Sequence, residues 1–311
     1  MSSTRSRKCT SRLASQLVRP AKSNLTLFEY PPDGKSDPAR GIITFTEHDQ
    51  QLLKRPRFLN DTIISLFMQY HLDNFVPRDI KDKVHIFNSF FFAKIKSIKA
   101  KSVDFRCASR WLKGVEIFNK DFLIMPVCEN DHWVLVIVCY PYRKPSPRSY
   151  SIPDEDLREP AVIVLNSWHE STPSVKKTLC QFFKYQWQAE RKETRSFAIH
   201  NAKPNGIRLI FPDLVQQHNN YDCGLFILCY FKCFLKNPRA SYLRMYRHRD
   251  LRKWFIENSI DIHEERKRMG EIVNEQKKLW QSLNPKAIKV KEEKYKLTSI
   301  NSSDSSVIVI N

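Results

Sequence analysis

The run of apolar and polar positions divides the chain into a polar beginning, a patterned middle and a charged end. From Met1 to about Ala39 the residues are polar and interrupted by Pro20, Pro31, Pro32 and Pro38, which predicts a disordered arm over residues 1–40. Order is expected from Ile42, where Ile42-Ile43-Thr44-Phe45 has the β-branched and aromatic make-up of a strand. Asn60 and Asp61 then open an apolar pattern at helical spacing through Ile63, Ile64, Phe67, Met68 and Leu72, with Asn60 suited to the N-cap. His85-Ile86-Phe87 leads into Phe90-Phe91-Phe92, read as a buried helix, and Trp111 to Phe118 reads as a short helix or a loop.

Two short apolar runs follow, Phe122 to Val127 and Trp133 to Cys139, separated by Glu129-Asn130-Asp131. They are expected to be adjacent strands of a buried sheet, with Ala161 to Leu165 as a third. Between the second and third lie prolines at 141, 145, 147, 153 and 160. That density forbids a sheet strand or a continuous helix and predicts a surface insertion over 141–160. Val175 to Arg191 has helical composition, Ile207 to Phe211 is strand-like, and the apolar stretch opened by Cys223 and continuing to Leu235 is long enough for a core helix. Leu243 to Leu283 alternates charge with Trp254, Phe255, Ile260, Ile272 and Trp280, the pattern of amphipathic helices at a domain edge. The domain is thus expected over 41–283, with a tail over 284–311.

Composition narrows the classes. The 311 residues are 41% hydrophobic and 12% aromatic, enough for a sizeable core. No uninterrupted apolar run reaches about 18 residues, so no membrane span is expected. Arg5, Arg7, Lys8 and Arg12 break the first segment, which excludes a secretory signal. The eight cysteines are scattered without a C-x-x-C pair, which fits reduced thiols of an intracellular protein rather than zinc ligands or a disulfide framework. With only 6 glycines and no Gly-rich phosphate loop, a dinucleotide fold is not expected. Lys+Arg 52 against Asp+Glu 33 leaves a net charge of +19. The basic arm is therefore expected to attract polyanions or nucleic acid nonspecifically, since no zinc finger, RNP-like strand or KH-type loop accompanies it.

Three segments carry candidate chemistry. In Tyr221-Asp222-Cys223-Gly224 the thiol stands at a helix start, where unpaired N–H groups and the dipole favour thiolate and should lower its pKa. Gly224 removes bulk beside the sulfur, so a substrate backbone can approach; a simply buried cysteine is the plainer alternative. In Asn130-Asp131-His132-Trp133 a histidine opens a strand, and in Val164-Leu165-Asn166-Ser167-Trp168 an asparagine ends the next. Asn166 can accept the Nδ1–H of His132 and turn Nε2 toward sulfur, completing a nucleophile, base and orienter. Gln217, six residues before Cys223, offers a side-chain amide to a developing oxyanion.

These residues carry a resemblance. Gln217-His218-Asn219-Asn220-Tyr221-Asp222-Cys223-Gly224 resembles the Q-x-N-x-x-D-C-G signature of the ubiquitin-like-protein proteases, also called sentrin-specific proteases. Asp131-His132-Trp133, Ile117-Phe118-Asn119-Lys120-Asp121 and Phe58-Leu59-Asn60-Asp61-Thr62-Ile63-Ile64 resemble further steps of the same family, in order, over roughly 42–235. The resemblance implies an α+β, papain-like fold with helices on a central mixed sheet. It implies isopeptidase action at a Gly-Gly C-terminus without metal or organic cofactor, and SUMO and SUMO-conjugated proteins as partners. Cys223, His132, Asn166 and Gln217 would be catalytic. Phe58 and Trp133 would roof a tunnel that only glycines fit, with Asn60, Asp61 and Gly224 completing the substrate-binding set. Phe58 in place of Trp and the Pro-rich insertion resemble the branch that trims SUMO chains.

Asn166 departs from the family's usual Asp. It can orient the imidazole but not stabilise imidazolium by charge, so slowed turnover is expected. A deNEDDylase of the same fold and a weakly active or inactive SUMO-binding scaffold remain open beside the SUMO isopeptidase. In the tail, Asp304 to Ile310 has the look of a SUMO-interacting motif, with Val307, Ile308, Val309 and Ile310 adding a strand to a sheet edge. Basic arm and family together imply a nuclear protein, with a cytoplasmic location open.

Overall fold

The apolar runs at the centre of the chain become the middle of a six-stranded sheet in a computed structural model that describes residues 25–35, 41–54, 56–98, 110–112, 114–145, 151–168, 174–195, 197–200, 206–258 and 261–285. The strands are β1 (Thr26–Tyr30), β2 (Ile43–Thr46), β3 (Val84–Ile86), β4 (Phe122–Glu129), β5 (His132–Cys139), β6 (Ala161–Leu165), β7 (Ile199–His200) and β8 (Ile207–Ile210). The helices are α1 (Glu47–Lys54), α2 (Asp61–Phe75), α3 (Arg78–Lys81), α4 (Ser89–Ser97), α5 (Ser174–Arg191), α6 (Cys223–Lys236), α7 (Pro238–Arg247), α8 (Arg252–Glu257) and α9 (Ile262–Leu283). The large sheet has the order β3-β4-β5-β6-β8-β7, and β1 and β2 form a separate antiparallel pair. β4, β5 and β6 are antiparallel neighbours, while β3–β4, β6–β8 and β7–β8 are parallel, so the sheet is mixed and the fold is α+β.

Both faces of this sheet are covered. Leu135, Ile137 and Cys139 of β5 lie in the cluster that holds α6, and Val134, Val136 and Val138 lie in the cluster that holds Leu179 and Phe182 of α5. Alternate side chains are therefore all apolar, the reason β4 to β6 read as unbroken runs. α6 is buried from Cys223 to Leu235 except at Lys232, as an all-round apolar helix must be. Asn60 caps α2 as expected, accepting from Ile63 N at 3.0 Å.

Three expectations change. Order does not begin at Ile42: β1 lies inside the segment read as a disordered arm, with Leu27, Phe28 and Tyr30 buried and Phe28 stacked on Phe45 at 5.0 Å. The five-residue strand is masked in the sequence by the prolines that follow it. The Pro-rich segment is not simply a surface excursion, because Leu157 is fully buried and Arg239 of α7 donates to the carbonyls of Asp154, Glu155 and Leu157. Val84–Ile86 is a strand ahead of α4, and 110–119 contains two short 3₁₀ turns. The basic stretch before residue 25 and the tail motif Val307, Ile308, Val309 and Ile310 lie outside the described residues. Among the described residues no helix is long and apolar enough to cross a membrane.

Candidate active site

The β4–β5 hairpin sets the histidine. Glu129 and His132 are register partners, so Asn130 and Asp131 form a two-residue turn, at φ 51° and 59°. Positive φ at both central positions is the type I′ geometry that matches strand twist, and Asn and Asp tolerate it best after glycine. His132 thereby opens β5 at the sheet end where its antiparallel neighbour β6 finishes and Asn166 follows.

His132 Nε2 lies 2.7 Å from Asn166 Oδ1. The same Oδ1 accepts the backbone N–H of Trp168 at 2.9 Å. A backbone N–H can only donate, so this atom is the amide oxygen and the ring nitrogen facing it carries the hydrogen. Nδ1 is then the nitrogen with a lone pair. The expected roles of the two ring nitrogens are reversed: Asn166 holds Nε2, and Nδ1 is the basic atom.

Cys223 is the first residue of α6, which packs on β5, and it is 1% exposed. Backbone N–H groups of Trp133, Gly224 and Cys223 itself face the sulfur and favour thiolate. Burial outweighs them and, with the nearby Asp222 carboxylate, holds the thiol above its ordinary pKa. The lowered thiol read from the helix start alone is therefore corrected, because the sequence showed the dipole but not the depth.

Gln217 is fixed at both ends of its amide. Ser167 Oγ donates to its Oε1 at 2.7 Å, and its Nε2 donates to Asn219 O at 2.6 Å. The Gln217 backbone N–H also donates to Ser167 O at 3.0 Å. A primary amide has a second N–H to give, so this arrangement presents a donor whose orientation cannot flip without setting Oε1 against the Asn219 carbonyl, which can only accept. Ser167 is fully buried and was missed; its only signal in the sequence is its place beside Asn166.

The remaining predicted residues divide. Phe58 is 45% exposed and offers an open ring, whereas Trp133 is 3% exposed and donates its indole N–H to Leu59 O at 2.9 Å. Trp133 thus braces the loop that carries Phe58 rather than standing beside it as a second open face. Asn60 is occupied by its cap and by a 2.6 Å bond to Asp49 Oδ1. Asp61, at the start of α2, comes within electrostatic reach of Cys128, which in turn feels Cys223. Gly224 is required by packing: a Cβ there would meet Leu59 Cβ at 2.9 Å, so the missing side chain admits the Phe58–Leu59 loop against α6. Trp168, also missed, is 42% exposed and lies edge-on to His132 with ring centroids 6.4 Å apart.

The model of the Ulp1 protease family, C-terminal catalytic domain, matches residues 57–269, more than half of the chain. The chain belongs to this family. It is 31% identical over 215 residues to the probable ubiquitin-like-specific protease 2B of Arabidopsis thaliana, covering 67% of this chain and 22% of that protein. It is 25% identical over 296 residues to sentrin-specific protease 7 of Rattus norvegicus, covering 77% and 27% of the two chains. It thus spans about a quarter of the length of these relatives. A crystal structure of a de-sumoylating protease shares the fold with a TM-score of 0.58 at 18% identity, over 81% of this chain and 93% of that one. In this Ulp1-family domain the matched stretch includes every described site residue above, from Phe58 to Gly224, and runs on into α9.

Proposed function

We propose that this domain is a cysteine isopeptidase that releases SUMO, singly or from chains, from lysines of target proteins. The observation that carries the reading is a buried Cys223 at the start of α6 whose sulfur meets the backbone N–H of Trp133, the residue that follows a histidine held by Asn166. His132 Nδ1 takes the thiol proton as sulfur attacks the carbonyl carbon of the modifier's terminal glycine. The oxyanion is met by the Cys223 N–H and by the Gln217 amide. The tetrahedral intermediate collapses with transfer of the proton from Nδ1 to the departing lysine amine, leaving a thioester. Water, deprotonated by the same Nδ1, then frees the carboxylate and the thiol.

Because burial holds the thiol protonated, proton transfer to His132 accompanies attack rather than preceding it. Phe58 would lie against the Gly-Gly tail. Family and basic composition support a nuclear or cytoplasmic location. The run Val307 to Ile310 would hold a further SUMO by strand addition, and its deletion should then lower affinity for SUMO chains.

The test is turnover of lysine-linked SUMO, ubiquitin and the modifier removed by deNEDDylases, side by side. Release of SUMO in preference to the other two is expected. Preference for another modifier would replace the substrate, and binding without release would make the domain a scaffold.

A further inference from the structure

Asp222 occupies the N-cap position of α6, yet its side chain makes no cap hydrogen bond. Asn60, Asn88, Asn237 and Asp261, at the N-caps of α2, α4, α7 and α9, all accept from backbone N–H groups of their own helices. The Asp222 carboxylate is turned away instead. Its Oδ2 accepts from Asn219 Nδ2 at 2.8 Å, and its Oδ1 accepts from Arg266 Nη2 at 3.0 Å. The two charged side chains are well shielded from solvent, at 15% exposure for Arg266 and 7% for Asp222. Arg266 comes from α9, and its guanidinium is itself anchored by Leu52 O at 3.1 Å and Arg57 O at 3.0 Å. One side chain therefore joins the residue before Cys223 to the residue before Phe58.

The missing cap has a chemical consequence. A capping carboxylate accepts from the second or third N–H of its helix. In α6 the second N–H belongs to Gly224, and it faces the sulfur of Cys223. A carboxylate swung into the cap would take that donor from the sulfur and set a negative charge beside it.

We infer that Arg266 is a positioning residue: it draws the Asp222 carboxylate off the start of α6, so that the Gly224 N–H stays on the sulfur and the carboxylate charge is partly offset. The inference rests on Cys223 being the nucleophile of the proposed reaction. Several titratable groups face the thiol. Asp222 flanks it in the chain, Cys128 of β4 acts on it and is itself under the field of Asp61, Asp131 and Glu129, and His132 heads β5 one residue before Trp133, whose backbone N–H meets the sulfur. Of these, Asp222 is paired with Arg266.

The experiment is residue-resolved alkylation of Cys223 by iodoacetamide across pH, on the full chain, with the acid limb of kcat/KM for SUMO release measured in parallel. Arg266→Ala should move the alkylation midpoint up by about one pH unit, the shift of a newly uncompensated neighbouring charge. Arg266→Lys, which keeps the charge without the fork, should fall between the two. Asp222→Ala combined with Arg266→Ala should return the midpoint to the wild-type value or below, even where the double variant melts at lower temperature. Reactivity that drops equally at every pH in Arg266→Ala, or a shifted midpoint that survives in the double variant, overturns the inference. A shifted midpoint without SUMO release by the wild-type chain upholds the role of Arg266 and refutes the proposed function instead.

Discussion

Asn166 Oδ1 accepts two hydrogens at once, from Nε2 of His132 at 2.7 Å and from the backbone of Trp168 at 2.9 Å. The second bond makes the first unambiguous: it fixes which end of the amide faces the ring, and with it the tautomer. A neutral orienter can set geometry in this way without contributing charge.

Asn166→Asp should keep both hydrogen bonds and add that charge. A carboxylate beside Nε2–H favours the imidazolium that forms as His132 takes the thiol proton during attack. The acid limb of the kcat/KM profile should move up, because His132 must be neutral to take the thiol proton, and the plateau should rise several-fold. Asn166→Ala should lower the plateau by roughly a hundredfold, the scale of a positioned general base. A profile unchanged by Asn166→Asp would contradict the account of this residue.

Ser167 and Gln217 should act as one unit. Ser167→Ala removes one of the two bonds that hold the amide and leaves a buried Oε1 without its donor. It should lower kcat by roughly tenfold with KM little changed, a fraction of what an oxyanion donor contributes. Gln217→Ala should cost more, and the double variant no more than Gln217→Ala alone. Additive losses in steady-state kinetics would show that the serine acts elsewhere.

Gly224→Ala tests packing rather than chemistry. The added methyl meets Leu59 Cβ at 2.9 Å and must push back the loop that Trp133 holds through Leu59 O. A stability loss of about 1–3 kcal/mol is expected, read as a lower denaturation midpoint, together with a raised KM because Phe58 moves with the loop.

His71 supplies an acid-sensitive element away from the site. Burial, then the charges of Lys232 and Lys236, lower its pKa from 6.5 to about 4. Because the folded value lies below the unfolded one, its contribution is complete above pH 6.5 and is lost as pH falls toward 4. Stability in urea should fall by about 3 kcal/mol over that interval on this account, and His71→Gln should flatten the dependence.

The sequence made the central sheet, α5 and α6 legible because apolar runs bounded by turn residues have few other solutions. Cys223, His132, Asn166 and Gln217 were picked out as candidates through spacing and family likeness, and His132 does meet Asn166, through Nε2 rather than the expected Nδ1. Three things were not. β1 is too short to outweigh Pro31 and Pro32, and its burial depends on distant α9. The ring nitrogen that meets Asn166 depends on strand register and the Trp168 turn, which residue types do not encode. The roles of Ser167, Gly224 and Arg266 come from contacts between residues far apart in the chain, the longest joining Arg266 to Leu52.

The most direct test of the central claim is to trap the chain with SUMO bearing a C-terminal electrophile and map the adduct by mass spectrometry. The account predicts one covalent SUMO per chain, on Cys223, formed far more slowly in His132→Ala. An adduct on Cys128 or another cysteine, or capture at an undiminished rate in His132→Ala, would contradict it.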